Sequence, residues 1–243
     1  MTAMSKEGVV AIVQARMTST RLPGKVLADV CGAPLLQRII ERLRMCSLLD
    51  AIVIATTVNR DDNPVEALAR RLGVDVYRGD EADVLGRVLA AAEQARADIV
   101  VRITADCPVI DPGIVDECIR LRSERGVDYA SNVNVRTYPD GLDTEVMRID
   151  ALRTAAREAH DPALREHVTP YIRGIFPHLP SGNFSRADLK FCADLSHVRW
   201  TVDRQDDLDR VREIYATLDG PFGWLDVLSL ATKHPHLLGV ARK

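Results

Sequence analysis

The sequence contains no run of about 18 consecutive apolar residues, so nothing in it reads as a membrane-spanning helix. Its first ten residues include Lys6 and Glu7 and lack the apolar stretch of a secretory signal. Cysteine is sparse. Cys31, Cys46, Cys107, Cys118 and Cys192 are odd in number, widely spaced and form no Cys-x-x-Cys pair, which argues against a disulfide framework and against a zinc site. These absences set the expectation of a cytoplasmic protein with reduced cysteines. An excess of basic charge is missing as well. With 32 Lys and Arg against 35 Asp and Glu, the net charge of −3 speaks against a nucleic-acid binder, which shows a basic domain or stripe. His234 and His236 bracket Pro235 with no carboxylate or cysteine beside them, and read as surface residues.

What remains is the composition of an ordinary folded protein, 47% hydrophobic and 28% charged over 243 residues, enough to bury a full core. Strand-like apolar runs at Val9 to Val13, Ala51 to Ala55, Val74 to Tyr77 and Asp98 to Ile103 are separated by segments of helical period. Leu35, Leu36, Ile39, Ile40 and Leu43 form one helical stripe; Val65, Leu68, Ala69 and Leu72 form a second; Val84, Leu85, Val88, Leu89 and Ala92 form a third. Pro34, Pro64 and Pro112 stand where first helical turns begin. The alternation predicts an α/β fold with a mixed, mainly parallel sheet flanked by helices. Beyond residue 125 the order changes to strands at Asp128 to Val135 and Leu142 to Ile149, then helices at Ala151 to Ala159 and Ala163 to Ile175. A last strand at Val198 to Val202 and a helix at Asp206 to Leu218 return to the first pattern. Residues 126–196 therefore read as a small α+β insertion in a single domain spanning 1–243, covering the ligand or forming a dimer contact.

The densest functional signal is the segment from Gln14 to Lys25, directly behind the first strand. Arg16, Arg21 and Lys25 bring three positive charges, Thr18, Ser19 and Thr20 bring hydroxyls, and the Pro23-Gly24 turn offers backbone N–H groups. Ligands in open parallel sheets sit at the carboxyl ends of strands, so this loop reads as a phosphate site. It is neither of the two common phosphate loops. A Walker loop needs glycine five positions before Gly24 and a hydroxyl after Lys25, where this chain has Ser19 and Val26. A dinucleotide fingerprint needs three glycines, and the loop has one. The competing reading is a solvated basic turn.

Two further apolar runs end in aspartate: Val101-Arg102-Ile103-Thr104-Ala105-Asp106, followed by Cys107-Pro108, and Arg199-Trp200-Thr201-Val202-Asp203. If both lie in one sheet with the first strand, Asp106 and Asp203 reach the same rim as Arg16 and Lys25. Mg²⁺ (or Mn²⁺) takes one or two protein carboxylates there and completes its shell with phosphate oxygens and water. The competing role for each aspartate is a helix N-cap, but Asp111 before Pro112 and Asp206 before the last long helix are better placed for that.

Ala15-Arg16, Ser19, Arg21-Leu22-Pro23-Gly24-Lys25, Leu27, Asp29, Gly32, Pro34-Leu35 and Gln37 resemble the N-terminal signature of the CMP-sugar synthetases, above all the CMP-KDO synthetases. Arg102 to Pro108, Asp140-Gly141-Leu142-Asp143, Arg165 to Tyr171 and Arg199 to Asp203 are similar to motifs of their relatives, the spore-coat polysaccharide biosynthesis protein F group. What the resemblance implies is a cytidylyltransferase of the glycosyltransferase-A-like nucleotidyltransferase fold. Such an enzyme transfers CMP from CTP to a sugar, releases pyrophosphate and needs Mg²⁺ (or Mn²⁺). Carried over by position, Arg16 and Lys25 hold phosphates, Asp106 and Asp203 hold the metal, and Ala15, Ser19 and Arg21 lie beside the nucleotide. Where CMP-KDO synthetases have Gly-Asp-Glu-Pro, this chain has Ala105-Asp106-Cys107-Pro108, which keeps the carboxylate and leaves the sugar open.

Base selection is expected from Thr56 and Thr57 and from Asp83 or Arg87, unless Arg87 lies on a solvated helix face. The acceptor side falls on Asn132, Asn134, Tyr138, Asp140, Asp143, Glu145, Arg165 and His167, residues that otherwise read as part of a homodimer interface. Arg136 and Arg165 are the cations available for an acidic sugar. The rival functions are a glycosyltransferase or sugar-nucleotide-binding protein of the same fold, and a nucleotidyltransferase using another nucleotide or a phosphorylated alcohol. A loop built for several phosphates favours a nucleoside triphosphate, because a finished sugar nucleotide has no γ-phosphate to hold.

Overall fold

In the computed structural model, which describes residues 7–218 and 220–239, the apolar run before the loop is strand β1 (Val9–Gln14). Lys6, cited above against a secretory signal, lies outside the described residues. The side chains of β1 divide by parity: Ala11 and Val13 enter one core cluster and Val10 and Ile12 the other. All four are buried, as in a strand covered by helices on both faces. A hairpin of β2 (Asp29–Val30) and β3 (Ala33–Pro34) follows, then α1 (Leu35–Leu43), β4 (Ala51–Thr57), α2 (Asn63–Leu72) and β5 (Asp75–Gly79). Next come α3 (Val84–Gln94), β6 (Ile99–Thr104), α4 (Pro112–Arg125), β7 (Tyr129–Ser131), β8 (Glu145–Arg148) and α5 (Ile149–Glu158). The chain continues through α6 (Pro162–His167), α7 (Pro170–Arg173), β9 (Arg186–Asp188), α8 (Gln205–Thr217) and α9 (Trp224–Lys233).

Seven strands form one sheet in the order β5-β4-β1-β6-β8-β7-β9. Strands β5, β4, β1 and β6 run parallel, β8 pairs antiparallel with both β6 and β7, and β9 runs parallel to β7. The expected α/β class with a mixed, mainly parallel sheet is what is found. Three of the strands, β7, β8 and β9, come from residues 126–196 and extend this sheet. One face packs against α1, α2, α4, α8 and α9 through Leu36, Leu68, Val115, Val211 and Val227; the other packs against α3, α5, α6 and α7 through Val88, Leu152, Leu164 and Ile172. No described helix is long and apolar enough to cross a membrane.

Two elements differ from expectation. Residues 198–202 are not a ladder strand, because their backbone groups pair with loops. Asp140 N–H donates to Val198 O at 2.9 Å, Trp200 N–H to Asp140 O at 2.7 Å, Arg199 N–H to Leu238 O at 2.9 Å and Val202 N–H to Asp106 O at 2.8 Å. A single parallel bridge, Asp140 with Arg199, is the nearest thing to a ladder there. The approach is so close that a Cβ on Gly141, whose φ is +111°, would lie 2.9 Å from the Trp200 carbonyl carbon. The single helix expected over Ala163 to Ile175 is the pair α6 and α7. Val168 takes φ 70° and ψ −59° in a tight three-residue turn, closed by Thr169 N–H donating to His167 O at 2.8 Å. Pro170 then has no N–H with which to continue the first helix.

Asp111 caps α4 as expected, its Oδ1 accepting from Ile114 N–H at 3.1 Å. Its Oδ2 accepts from Trp224 N–H at 2.8 Å and lies 3.9 Å from the buried Arg42 guanidinium, so one carboxylate ties α4 to α9 and α1. At α8 the capping role expected of Asp206 belongs to Asp207. Placed in the first turn, Asp207 reaches back, and its Oδ2 accepts from Asp203 N–H and Arg204 N–H at 3.0 Å each. Asp111→Ala is therefore expected to cost more than the roughly 1 kcal/mol of a lost cap, since it also strands a buried guanidinium: about 3 kcal/mol in urea unfolding, partly recovered in Asp111→Asn. A loss of only about 1 kcal/mol would show that the Trp224 and Arg42 contacts add nothing.

Candidate active site

The loop behind β1 is anchored before it is charged. Fully buried Asp62 accepts from Met17 N–H at 2.6 Å and Thr57 N–H at 3.2 Å, which fixes the loop's start against the end of β4. Gly24 N–H and Ser19 N–H both donate to Met17 O at 2.9 Å, folding the loop back on itself. That return requires φ +73° at Gly24, a conformation glycine adopts freely. The fold-back delivers Lys25 into the protein, with its side chain only 10% exposed.

Lys25 Nζ lies 2.7 Å from Val202 O, 3.0 Å from Asp203 Oδ1 and 3.4 Å from Asp106 Oδ2. Arg21 reaches the same Asp203 Oδ1 at 2.7 Å, and Arg199 holds Asp203 Oδ2 at 2.7 Å. Asp106 Oδ1 accepts from Thr104 Oγ1 at 2.6 Å. Burial pushes the Asp203 carboxyl up, but hydrogen bonds and charge from Lys25 and Arg21 outweigh it and hold the group below the usual carboxylate range. On the other flank, Glu81 accepts from Thr18 Oγ1 and Asn59 Nδ2, both at 2.6 Å, and pairs with Arg16 at 3.4 Å. A second acidic group adjoins the first. Burial and the charge of Asp143 raise Asp140 to about 6 against the opposing pull of Arg136 and Arg199.

Lys25, Asp106, Asp203, Arg21, Arg16 and Thr104 open onto a cleft of about 570 Å³. Of the residues expected at a site, Ala15, Arg16, Ser19, Arg21, Lys25, Arg87, Asp106, His167 and Asp203 line it. Thr56 and Thr57 are fully buried instead, with Thr57 bonded to Asp62, and neither lines the cleft. Asp83 caps α3 through Gly86 N–H and pairs with Arg165 at 2.6 Å. Arg87 is buried at the cleft wall rather than solvated, and its Nε has no partner among the described residues.

Asp143, Glu145 and His167 line a second cavity of about 390 Å³, which shares Arg102, Thr104 and His167 with the first. Arg136 and Arg173 also face it. Glu145 is buried and committed: it accepts from Tyr129 Oη at 2.6 Å and Thr169 Oγ1 at 2.7 Å and forms an ion pair with Arg102. Gln14, within the loop singled out above, also lines the cleft; sequence reasoning missed Arg102, Thr104 and Glu166 as lining residues and Glu81 as their neighbour. Arg102 did carry a signal, since a charge inside an apolar strand covered on both faces demands a partner.

Among the described residues, no group of three or more His, Cys, Asp or Glu is placed to hold a metal ion. Two carboxylates suffice where phosphate oxygens and water complete the shell, and Asp106 Oδ2 and Asp203 Oδ1 already converge on one positive charge, the Lys25 ammonium. The donor set therefore fits a divalent cation.

The model of the family described as "Cytidylyltransferase" matches residues 10–214. The chain belongs to the cytidylyltransferase family. The enzyme is 34% identical over 212 residues to the spore coat polysaccharide biosynthesis protein SpsF of Bacillus subtilis strain 168, with 85% of this chain and 86% of that one covered. The solved structure of a cytidylyltransferase from Leptospira borgpetersenii serovar Hardjo-bovis matches with a TM-score of 0.90 at 29% identity, over 98% of this chain and 99% of that one. A CMP:2-keto-3-deoxy-manno-octonic acid synthetase solved with CTP shares the fold at a TM-score of 0.65 and 21% identity, over 86% and 99% of the two chains.

Glu145 provides a test of how this enzyme's two cavities are held apart. Burial raises its carboxyl, but Arg102, Arg173, Thr169 and Tyr129 together take it below its ordinary value of 4.5. A depressed carboxylate stabilises the fold above its unfolded value and loses that contribution as pH falls through the folded one. Glu145→Gln is expected to lower unfolding stability at pH 7 by about 3 kcal/mol or more, because Arg102 stays buried without its counter-charge. Its stability is also expected to fall less steeply than wild type below about pH 4.5. Parallel pH slopes in urea denaturation would show that Glu145 carries none of the acid sensitivity.

Proposed function

We propose that this cytidylyltransferase transfers CMP from CTP to the hydroxyl of an acidic sugar, releasing pyrophosphate, with Mg²⁺ or Mn²⁺ held by Asp106 and Asp203. One observation carries the reading. A cleft lined by three loop cations and two convergent carboxylates opens into a second cavity in which three arginines, Arg102, Arg136 and Arg173, face two carboxylates, Asp143 and Glu145. The first suits a triphosphate with its cation. The second has one positive charge in excess, which suits a carboxylate on the acceptor.

In the reaction the acceptor hydroxyl attacks the α-phosphorus and loses its proton to solvent, a new P–O bond forms, and the bond to the bridging oxygen breaks with its electron pair leaving on pyrophosphate. The protein's part is positioning and charge neutralisation. Arg16, Arg21 and Lys25, with Ser19, take the charge that collects on the departing phosphates, each charge-assisted hydrogen bond contributing about 1.5 to 3 kcal/mol. The divalent ion, when bound, supplies Lewis-acid neutralisation at phosphoryl oxygens. Ala15, at the end of β1, lets the backbone approach the nucleotide closely. Arg87, a buried guanidinium with an unused Nε at the cleft wall, is the base-selecting residue. His167 and Asp143 orient the acceptor, residues 126–196 form the acceptor-binding portion of one catalytic domain, and two copies pair as a cytoplasmic homodimer.

Pyrophosphate release measured with each of CTP, UTP, ATP and GTP against acidic and neutral sugars is expected with CTP and an acidic sugar. Asp106→Ala and Asp203→Ala should lose about 10³-fold in rate. Equal release from all four triphosphates, or from neutral sugars alone, would sink the reading. His167 is exposed, so His167→Ala should leave the fold intact while raising the acceptor KM and keeping CTP affinity within about twofold. If neither ligand's constants move, the second cavity is not the acceptor site.

A further inference from the structure

The cations of the phosphate loop are neutralised within the protein. Each cation of the phosphate loop already has a protein carboxylate: Arg16 pairs with Glu81 at 3.4 Å, Arg21 with Asp203 at 2.7 Å, and Lys25 with Asp203 at 3.0 Å and Asp106 at 3.4 Å. The two carboxylates assigned to the metal are held by Lys25, Arg21 and Arg199, and Arg199 is itself shared with Asp207 at 2.9 Å and Asp140 at 3.4 Å. A divalent ion arriving alone would compete for those carboxylate oxygens with an ammonium that is 10% exposed and with the Arg21 guanidinium. A triphosphate arriving alone would have to draw Lys25, Arg21 and Arg16 away from carboxylates, leaving those carboxylates unpaired in a partly buried site, which is costly.

We infer that Lys25 and Arg21 are the placeholder cations of the metal site, and Glu81 the placeholder anion of the phosphate site, so that metal and nucleotide bind by exchanging partners. The triphosphate takes the cations, and the metal takes the carboxylates they release. Each ligand removes the obstacle to the other. The result is a positive coupling that is reciprocal by linkage: the factor by which metal tightens nucleotide equals the factor by which nucleotide tightens metal. This inference rests on the metal and triphosphate assignments made above and adds to them the internal ion pairs as the origin of the coupling.

Free Mn²⁺, counted by electron paramagnetic resonance during titration of the full chain without nucleotide or sugar, tests it directly. Wild type is expected to bind Mn²⁺ weakly, and Lys25→Met to bind it about fivefold or more tightly, the lower end of ordinary coupling between sites. Arg21→Gln, whose parent side chain is 59% exposed, should also tighten Mn²⁺ and decides the matter where Lys25→Met unfolds. The anionic half is read by calorimetric titration of CTP in EDTA, where Glu81→Gln should raise affinity by about threefold or more, since Arg16 and Thr18 lose a competitor. Unchanged or weaker Mn²⁺ binding in the folded variants, or unchanged CTP affinity in Glu81→Gln, would overturn the exchange. No sugar or turnover enters these titrations, so failure of the proposed reaction would show separately, as absent pyrophosphate release.

Discussion

One ammonium group holds the site together. Lys25 Nζ touches Val202 O, Asp203 and Asp106, groups that lie 177, 178 and 81 residues away in the chain. The loop behind β1, the turn after β6 and the extended segment before α8 meet at this one charge. Backbone geometry brings them there, because Val202 N–H donates to Asp106 O and sets the two aspartates side by side. Two carboxylates at that separation repel unless a cation stands between them. Lysine provides the charge on a long stem that leaves the strand ends unstrained, and Gly24 makes the turn that lets the stem point inward.

A second constraint divides the site in two. Strand β8 enters antiparallel to β6, and the register sets Glu145 directly opposite Arg102. Their ion pair, completed by Tyr129 and Thr169, joins Arg102, which lines both cavities, to Glu145, which lines the second. It links the parallel half of the sheet to its mixed half, and each partner would be costly to bury without the other. The tight turn at Val168 belongs to the same construction. It places Thr169 where its hydroxyl reaches Glu145 and leaves His167 between the two cavities.

Local pattern made the parallel strands, their covering helices and the loop cations legible. Continuous apolar runs marked β1, β4 and β6, and Arg16, Lys25 and Asp106, sought beyond the carboxyl ends of β1 and β6, line the cleft there. What stayed hidden was pairing between distant segments. Arg102 and Glu145 are 43 residues apart and meet only through an antiparallel register that no local signal specifies. Thr56 and Thr57 read as ligand contacts because they end a strand, yet that strand is covered on both faces and the two threonines are buried. Residues 198–202 have the composition of a strand and its burial, while their hydrogen bonds go to loops, a distinction that composition does not carry. Asp206 and Asp207 differ by one position, and only helix phase selects the one that reaches back.

Because β8 runs against its neighbours, its rim loop is the one that precedes it, residues 132–144, whereas the cleft is served by loops that follow their strands. Both ends of that preceding loop are pinned. Asn132 bonds Leu142 O and Thr144 N–H at 2.8 and 2.9 Å, and Asp140 bonds Val198 and Trp200 through its backbone. Between these anchors, Asn134 is half-buried and Val135 and Arg136 are exposed. Insertions and deletions at 134–136 act directly on the second cavity, through Asn134, which accepts from Arg173 at 2.6 Å, and Arg136, which pairs with Asp143 at 2.7 Å. A change of length at 140–144 is transmitted straight to the backbone beside Asp203, so change in the second cavity and change in the cleft are separated by a few residues of one loop.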